Sequence, residues 1–136
     1  MTALVGRLTR LGSGRAHVRL ARAGHTYPVL VPGRPGGEVR LVRSEGALLG
    51  ATPDVAVEEV EHILDRGDAL VLYTDGITET RRGDELFGED RLIEALAAAA
   101  GSSAEELADA VLAAVDAFRA APSEDDVALL VLRVAP

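Results

Sequence analysis

The chain has 136 residues, 48% of them apolar and only four aromatic, with 14 arginines, no lysine, no cysteine and a formal charge of −8. That length supports one domain or part of one around a core of Leu, Val, Ile and Ala, and the apolar share excludes disorder. The missing cysteines exclude a disulfide framework, a thiolate metal site and a cysteine nucleophile, and the acidity argues against a nucleic-acid partner.

The first third predicts strands. Residues 4–9, 17–23 and 27–31 carry apolar side chains near every second position, separated by Gly12-Ser13-Gly14 and Gly24-His25. Pro32-Gly33-Arg34-Pro35-Gly36-Gly37 is turn chemistry, followed by a short strand over 38–42. Residues 44–54 are punctuated by glycine and proline and read as irregular. A further strand is expected over 55–64, with Glu58, Glu59 and Glu61 on its exposed side. The turn Arg66-Gly67-Asp68 then feeds an apolar strand over 69–74.

Beyond Asp75 the period changes. Leu92, Ile93, Leu96, Ala97 and Ala100 recur at helical spacing behind the acids of Gly88-Glu89-Asp90. A second helix begins at Ser102-Ser103, where Ser102 with Glu105 or Ser103 with Glu106 fits a capping box. Leu107, Val111, Leu112, Val115 and Phe118 form its apolar stripe, and Ala121-Pro122-Ser123 stops it. A last strand over 127–134 is apolar at nearly every position and is expected inside a sheet, covered on both faces. Strands, two helices and a final strand imply an α+β fold: a largely antiparallel sheet or β-sandwich with the two helices on one side.

Two junctions carry chemistry. One apolar strand ends abruptly in Asp75-Gly76, and another opens directly from Asp125-Asp126. Carboxylates held at strand tips suit a hard divalent cation such as Mg²⁺ or Mn²⁺, which takes oxygen ligands at fixed geometry. The plainer alternatives are a turn residue capping the next helical segment for Asp75, and a solvated acidic turn for Asp125 and Asp126. His25 reads as a structural turn histidine, with a general acid as the alternative. His17 and His62 have no companions at ligand spacing. Thr74, Thr78 and Thr80 have no neighbouring base to make any of them a nucleophile. Arg81-Arg82 reads as a solvated loop. Charge is uneven too: residues 1–45 carry eight arginines against Glu38 and Glu45. That excess suits anions, but no glycine-rich phosphate loop accompanies it.

Three segments together resemble a known family: Ala23-Gly24-His25, the stretch from Ala69 through Tyr73-Thr74-Asp75-Gly76 to Thr80, and Ser123-Glu124-Asp125-Asp126-Val127 with the strand after it. Gly46-Ala47-Leu48-Leu49-Gly50, Arg66-Gly67-Asp68 and Glu85-Leu86-Phe87-Gly88 agree in order and spacing. The chain is similar to the sporulation-phosphatase (SpoIIE/RsbU-type) branch of the metal-dependent, 2C-like (PPM) protein phosphatases. That resemblance implies a four-layer αββα fold and hydrolysis of phosphoserine or phosphothreonine by water activated on two Mn²⁺ or Mg²⁺ ions. Asp75 and Asp125 would be metal ligands, and Asp126 would orient Asp125 or hold an outer water. The implied partner is a phosphorylated protein of the anti-sigma-factor-antagonist type.

Departures accompany the matches. No Gly-Asp-x-x-Gly-His-Gly segment occurs, and no acid precedes Glu38. Residues 1–136 are therefore expected to be a single partial domain, the C-terminal portion of the phosphatase domain, inactive alone. The alternative is a non-catalytic, phosphatase-like interaction module. Arg22, Tyr27 and Ala128 replace the asparagine, proline and threonine common in the family. Exposed sheet edges would favour a homodimer or swapped assembly. No apolar run approaches the roughly 18–20 residues of a membrane span, and residues 1–7 lack a signal-peptide layout, so a cytoplasmic protein without a membrane partner is expected.

Overall fold

The apolar run Ala69–Tyr73 forms β6, with a neighbour on either side and both faces covered. In this computed structural model, which describes all residues except 52, 55 and 121–125, Ala69, Val71 and Tyr73 point toward the helices and Leu70 toward a second sheet. Coverage on both sides is why the strand shows no polar alternation.

Four strands make the sheet that contains β6: β4 (Arg40–Leu41), β3 (Val29–Val31), β6 and β9 (Leu129–Arg133), in that order and all antiparallel. Packed on one face are α2 (Gly88–Ala98) and α3 (Ala104–Phe118). Leu92 and Leu96 of α2 and Leu107, Val111 and Val115 of α3 are almost completely buried there. Phe87 and Phe118 meet edge to face with ring centroids 5.6 Å apart. Each fully buried side chain of this size contributes about 1.5–3 kcal/mol. Of the two capping boxes the sequence allows, Ser103 with Glu106 is the one formed. The Ser103 N–H donates to the Glu106 carboxylate at 2.8 Å, and the Glu106 N–H donates to the Ser103 hydroxyl at 3.2 Å.

The other face packs on a three-stranded antiparallel sheet of β1 (Ala3–Arg10), β2 (Ala16–Ala23) and β5 (Glu59–Leu64). Val18, Leu20 and Leu64 meet Leu30, Val42 and Leu70 between the sheets. On the outer face Arg19 lies opposite Glu61 in register and donates to it at 2.6 Å, while His17 contacts the same carboxylate at 3.1 Å. The hydrogen bond from Arg19 holds the Glu61 carboxyl below its usual range.

The α+β sandwich with helices on one side is as expected, and it forms three layers: sheet, sheet, helices. Several elements differ. β9 is not an interior strand: among the described residues it pairs only with β6, at the sheet edge, and Leu130 is 52% exposed. β3, β4 and β5 are shorter than predicted, because Pro28 and the turns around them leave the ladder early. Val55, the expected start of β5, and the Ala121-Pro122-Ser123 stop lie outside the described residues. Arg81-Arg82 is no loop: β7 (Arg81–Arg82) and β8 (Glu85–Leu86) form a hairpin through Gly83, whose φ of 64° suits glycine. Among the described residues no helix is long and apolar enough to cross a membrane.

Candidate functional site

The site is built by the register of β6 against β9. Tyr73 pairs with Leu129, and the Thr74 N–H extends the ladder by donating to the Ala128 carbonyl at 3.0 Å. The chain beyond each tip is then fastened by a single hydroxyl. Thr74 Oγ1 donates to the Asp126 carbonyl at 3.2 Å and accepts the Ala128 N–H at 2.9 Å. Gly76 lies so close to this segment that a Cβ there would stand 2.6 Å from the Asp126 carbonyl oxygen. Two acidic junctions about fifty residues apart in sequence thus share one end of one sheet. Asp125 itself lies outside the described residues.

Asp75 opens α1 (Asp75–Thr78), a single helical turn. Its carbonyl accepts the Glu79 N–H at 2.7 Å and the Thr78 hydroxyl at 3.3 Å. Its carboxylate is exposed and makes no hydrogen bond among the described residues. The turn-capping alternative is not what forms: Thr74 is the N-cap, and its hydroxyl serves β9 rather than the helix. The turn is braced from below. Ile77 is fully buried, and the buried Thr80 hydroxyl donates to the Gly76 carbonyl at 2.8 Å.

His25 is half-buried beside this end, lining a shallow depression of about 190 Å³ with Thr74 and Ala128. Its carbonyl is held by Arg22 Nη1 at 2.9 Å. Two residues that depart from the family pattern explain one another: the buried Arg22 guanidinium lies 4.3 Å from the centroid of the Tyr27 ring. Backbone carbonyls of His25 and Ser44 and an aromatic face take the place of a carboxylate partner. The Tyr73 hydroxyl is buried without a hydrogen-bond partner among the described residues, and burial pushes the phenol up.

A divalent ion needs about six oxygen ligands. Asp75 and Asp126 offer hard oxygen donors of the right kind at one edge, but among the described residues no group of three or more ligating side chains converges. The donor set fits one side of a divalent site. Thr74 is the residue that stands out only in three dimensions. Its sequence signal is weak: a hydroxyl directly before Asp-Gly, at the last rung of the strand. Thr74→Val keeps the shape and removes the fastening. It is expected to weaken Mn²⁺ binding about tenfold and to lower stability by about 0.5–1.5 kcal/mol, since two hydrogen bonds to the exposed 126–128 segment are lost. Calorimetry and urea denaturation measure the two effects.

Comparison with known proteins identifies the family and the fold. A family model for stage II sporulation protein E (SpoIIE) matches residues 1–135. The phosphatase domain of the cell-fate determinant SpoIIE from Bacillus subtilis is similar at a TM-score of 0.71 and 19% identity, over 98% of this chain and 57% of that one. The RsbU and RsbW domains of a Mycobacterium tuberculosis protein give 0.73 and 29%, over 98% of this chain and 36% of that one. The SiaA-PP2C domain of Pseudomonas aeruginosa gives 0.64 and 24%, over 88% and 51%. The chain therefore spans little more than half of these structures at most. No curated protein matches it in sequence.

Proposed function

This chain belongs to the SpoIIE family, and from that premise we propose that it is the C-terminal portion of a metal-dependent protein phosphatase domain. The supporting observation is the meeting of the Asp75 and Asp126 segments at one sheet end, with the Asp75 carboxylate turned to solvent. In this reading Asp75 and Asp125 hold divalent ions, Mn²⁺ or Mg²⁺, and Asp126 orients Asp125 or an outer water. When bound, two such ions supply an activated water and offset charge on a phosphoryl group. The chain's own part is positional. Thr74 fixes the spacing of the two acidic segments, Gly76 lets their backbones approach, and Thr80 anchors the turn that carries Asp75.

The proposed substrate is a phosphoserine or phosphothreonine protein in bacterial, cytoplasmic signalling, of the anti-sigma-factor-antagonist type. The donor set is one-sided, so the proposal includes that residues 1–136 alone turn over little substrate and self-associate through the open edges of β1 and β9. The test is calorimetric titration of the chain with Mn²⁺, together with phosphate release from a phosphoserine protein. Saturable but weak Mn²⁺ binding with negligible turnover is expected. Brisk Mn²⁺-dependent turnover would overturn the incompleteness. Absence of any saturable binding would instead make the chain a phosphatase-like interaction module.

A further inference from the structure

The arginine excess of the first third has no part in the phosphatase reading, yet two of those arginines meet two later ones at a single place. At the end of the sandwich opposite Asp75, a cavity of about 590 Å³ opens between the two sheets. Arg10, Arg15, Arg66 and Arg133 line it, no acidic side chain does, and Val134, Ala135 and Pro136 complete the wall. Between the guanidinium groups the walls are aliphatic, chiefly Leu8, Leu64 and Leu132. Its volume falls within the range typical of small-molecule sites.

Three of the four arginines are held by neutral acceptors. Arg15 Nε donates to the Ser13 hydroxyl at 3.3 Å and Arg66 Nε to the Ser13 carbonyl at 3.1 Å. Arg133 donates to the Gly67 carbonyl at 3.1 Å and the Gly101 carbonyl at 3.4 Å. Among the described residues none of the four forms an ion pair, whereas Arg19, Arg43, Arg82, Arg91 and Arg119 all do. Glu106 senses Arg133, but its carboxylate is engaged by the Ser103 N–H. Positive charges are therefore held together and left uncompensated in a chain of net charge −8. Such an arrangement is repulsive until an anion joins it.

We infer that this cavity binds a small amphiphilic anion, its carboxylate or phosphate head between the guanidinium groups and its apolar body against Leu8, Leu64 and Leu132. Guanidinium forks match either head group, and the aliphatic walls favour a hydrocarbon body over a polar one. The inference rests on no metal ligand and no catalytic residue, although β1 and β9, whose edges the proposed self-association would use, supply part of the lining.

The experiment is calorimetric titration of the full chain with octyl phosphate and with decanoate, both below micelle-forming concentrations. Inorganic phosphate serves as a head-only control and octyl glucoside as a neutral-head control. One saturable site per chain is expected for an amphiphilic anion, at least tenfold tighter than for either control. The Arg10 side chain makes no hydrogen bond or ion pair among the described residues, so Arg10→Gln should keep the urea midpoint and weaken binding about tenfold. Arg66→Gln should weaken it similarly. Leu132→Ala should weaken octyl phosphate while leaving inorganic phosphate unchanged. The inference is overturned if neither amphiphile gives saturable heat, if either control binds equally well, or if both arginine substitutions leave the affinity unaltered.

Discussion

Asp75→Asn is expected to lower Mn²⁺ affinity by about 100-fold or more and, on the function proposed above, to abolish any phosphatase turnover to which this chain contributes. Loss of an outer-shell partner alone typically costs 10–100-fold, and direct loss of a ligand charge costs no less. Asparagine is nearly isosteric and keeps a carbonyl oxygen, so what disappears is the negative charge facing the cation. The exposed Asp75 carboxylate makes no hydrogen bond among the described residues, and the N-cap of α1 is Thr74. Stability should therefore stay within about 0.5 kcal/mol of the parent. This pairing of outcomes separates a ligand from a helix cap. A capping aspartate would lose stability on substitution and leave metal affinity alone. Mn²⁺ calorimetry and urea denaturation on the same protein decide it, and an unchanged affinity removes Asp75 from the site.

What the sequence makes legible is local. The run 69–73 announces a buried strand because hydrophobicity is continuous between a glycine turn and an aspartate. The helices announce themselves through a 3.6-residue period and, for α3, through Ser103 and Glu106. Equal apolarity misleads for β9, because continuous hydrophobicity reports which residues avoid water and not how many neighbours a strand has. Sheet order is set by long-range pairing, and among the described residues it leaves β9 with β6 alone. The β7–β8 hairpin is too short to show a period, although Gly83-Asp84 is a turn signal in plain view. The pairing of Arg22 with Tyr27 joins a residue of β2 to one in the connection to β3, a contact no spacing rule supplies. The same holds for the site. The two acidic junctions are legible one by one, and the family pattern couples them, but the register that sets Tyr73 opposite Leu129 is a property of the folded sheet.

That dependence on register makes Gly76 the most sensitive backbone position at the site. In Gly76→Ala the new Cβ would meet the Asp126 carbonyl oxygen at 2.6 Å and its carbon at 3.3 Å. Both are backbone atoms, so no rotamer change relieves the overlap. Either residues 126–128 retreat from β6, breaking the bonds Thr74 makes to Asp126 and Ala128, or α1 rotates and draws Ile77 out of the core. Alanine's higher helix propensity returns at most about 1 kcal/mol, against about 1–3 kcal/mol for the overlap and about 1 kcal/mol for each hydrogen bond lost. A net destabilisation of about 2 kcal/mol is expected, together with weaker Mn²⁺ binding, because the same displacement separates the two acidic segments. Gly12→Ala is the control: a Cβ there meets nothing within 4 Å, and its stability should match the parent. If Gly76→Ala and Gly12→Ala have equal urea midpoints and equal Mn²⁺ affinity, Gly76 and Asp126 are not in contact. The junctions would then be separate acidic turns at the ends of their strands.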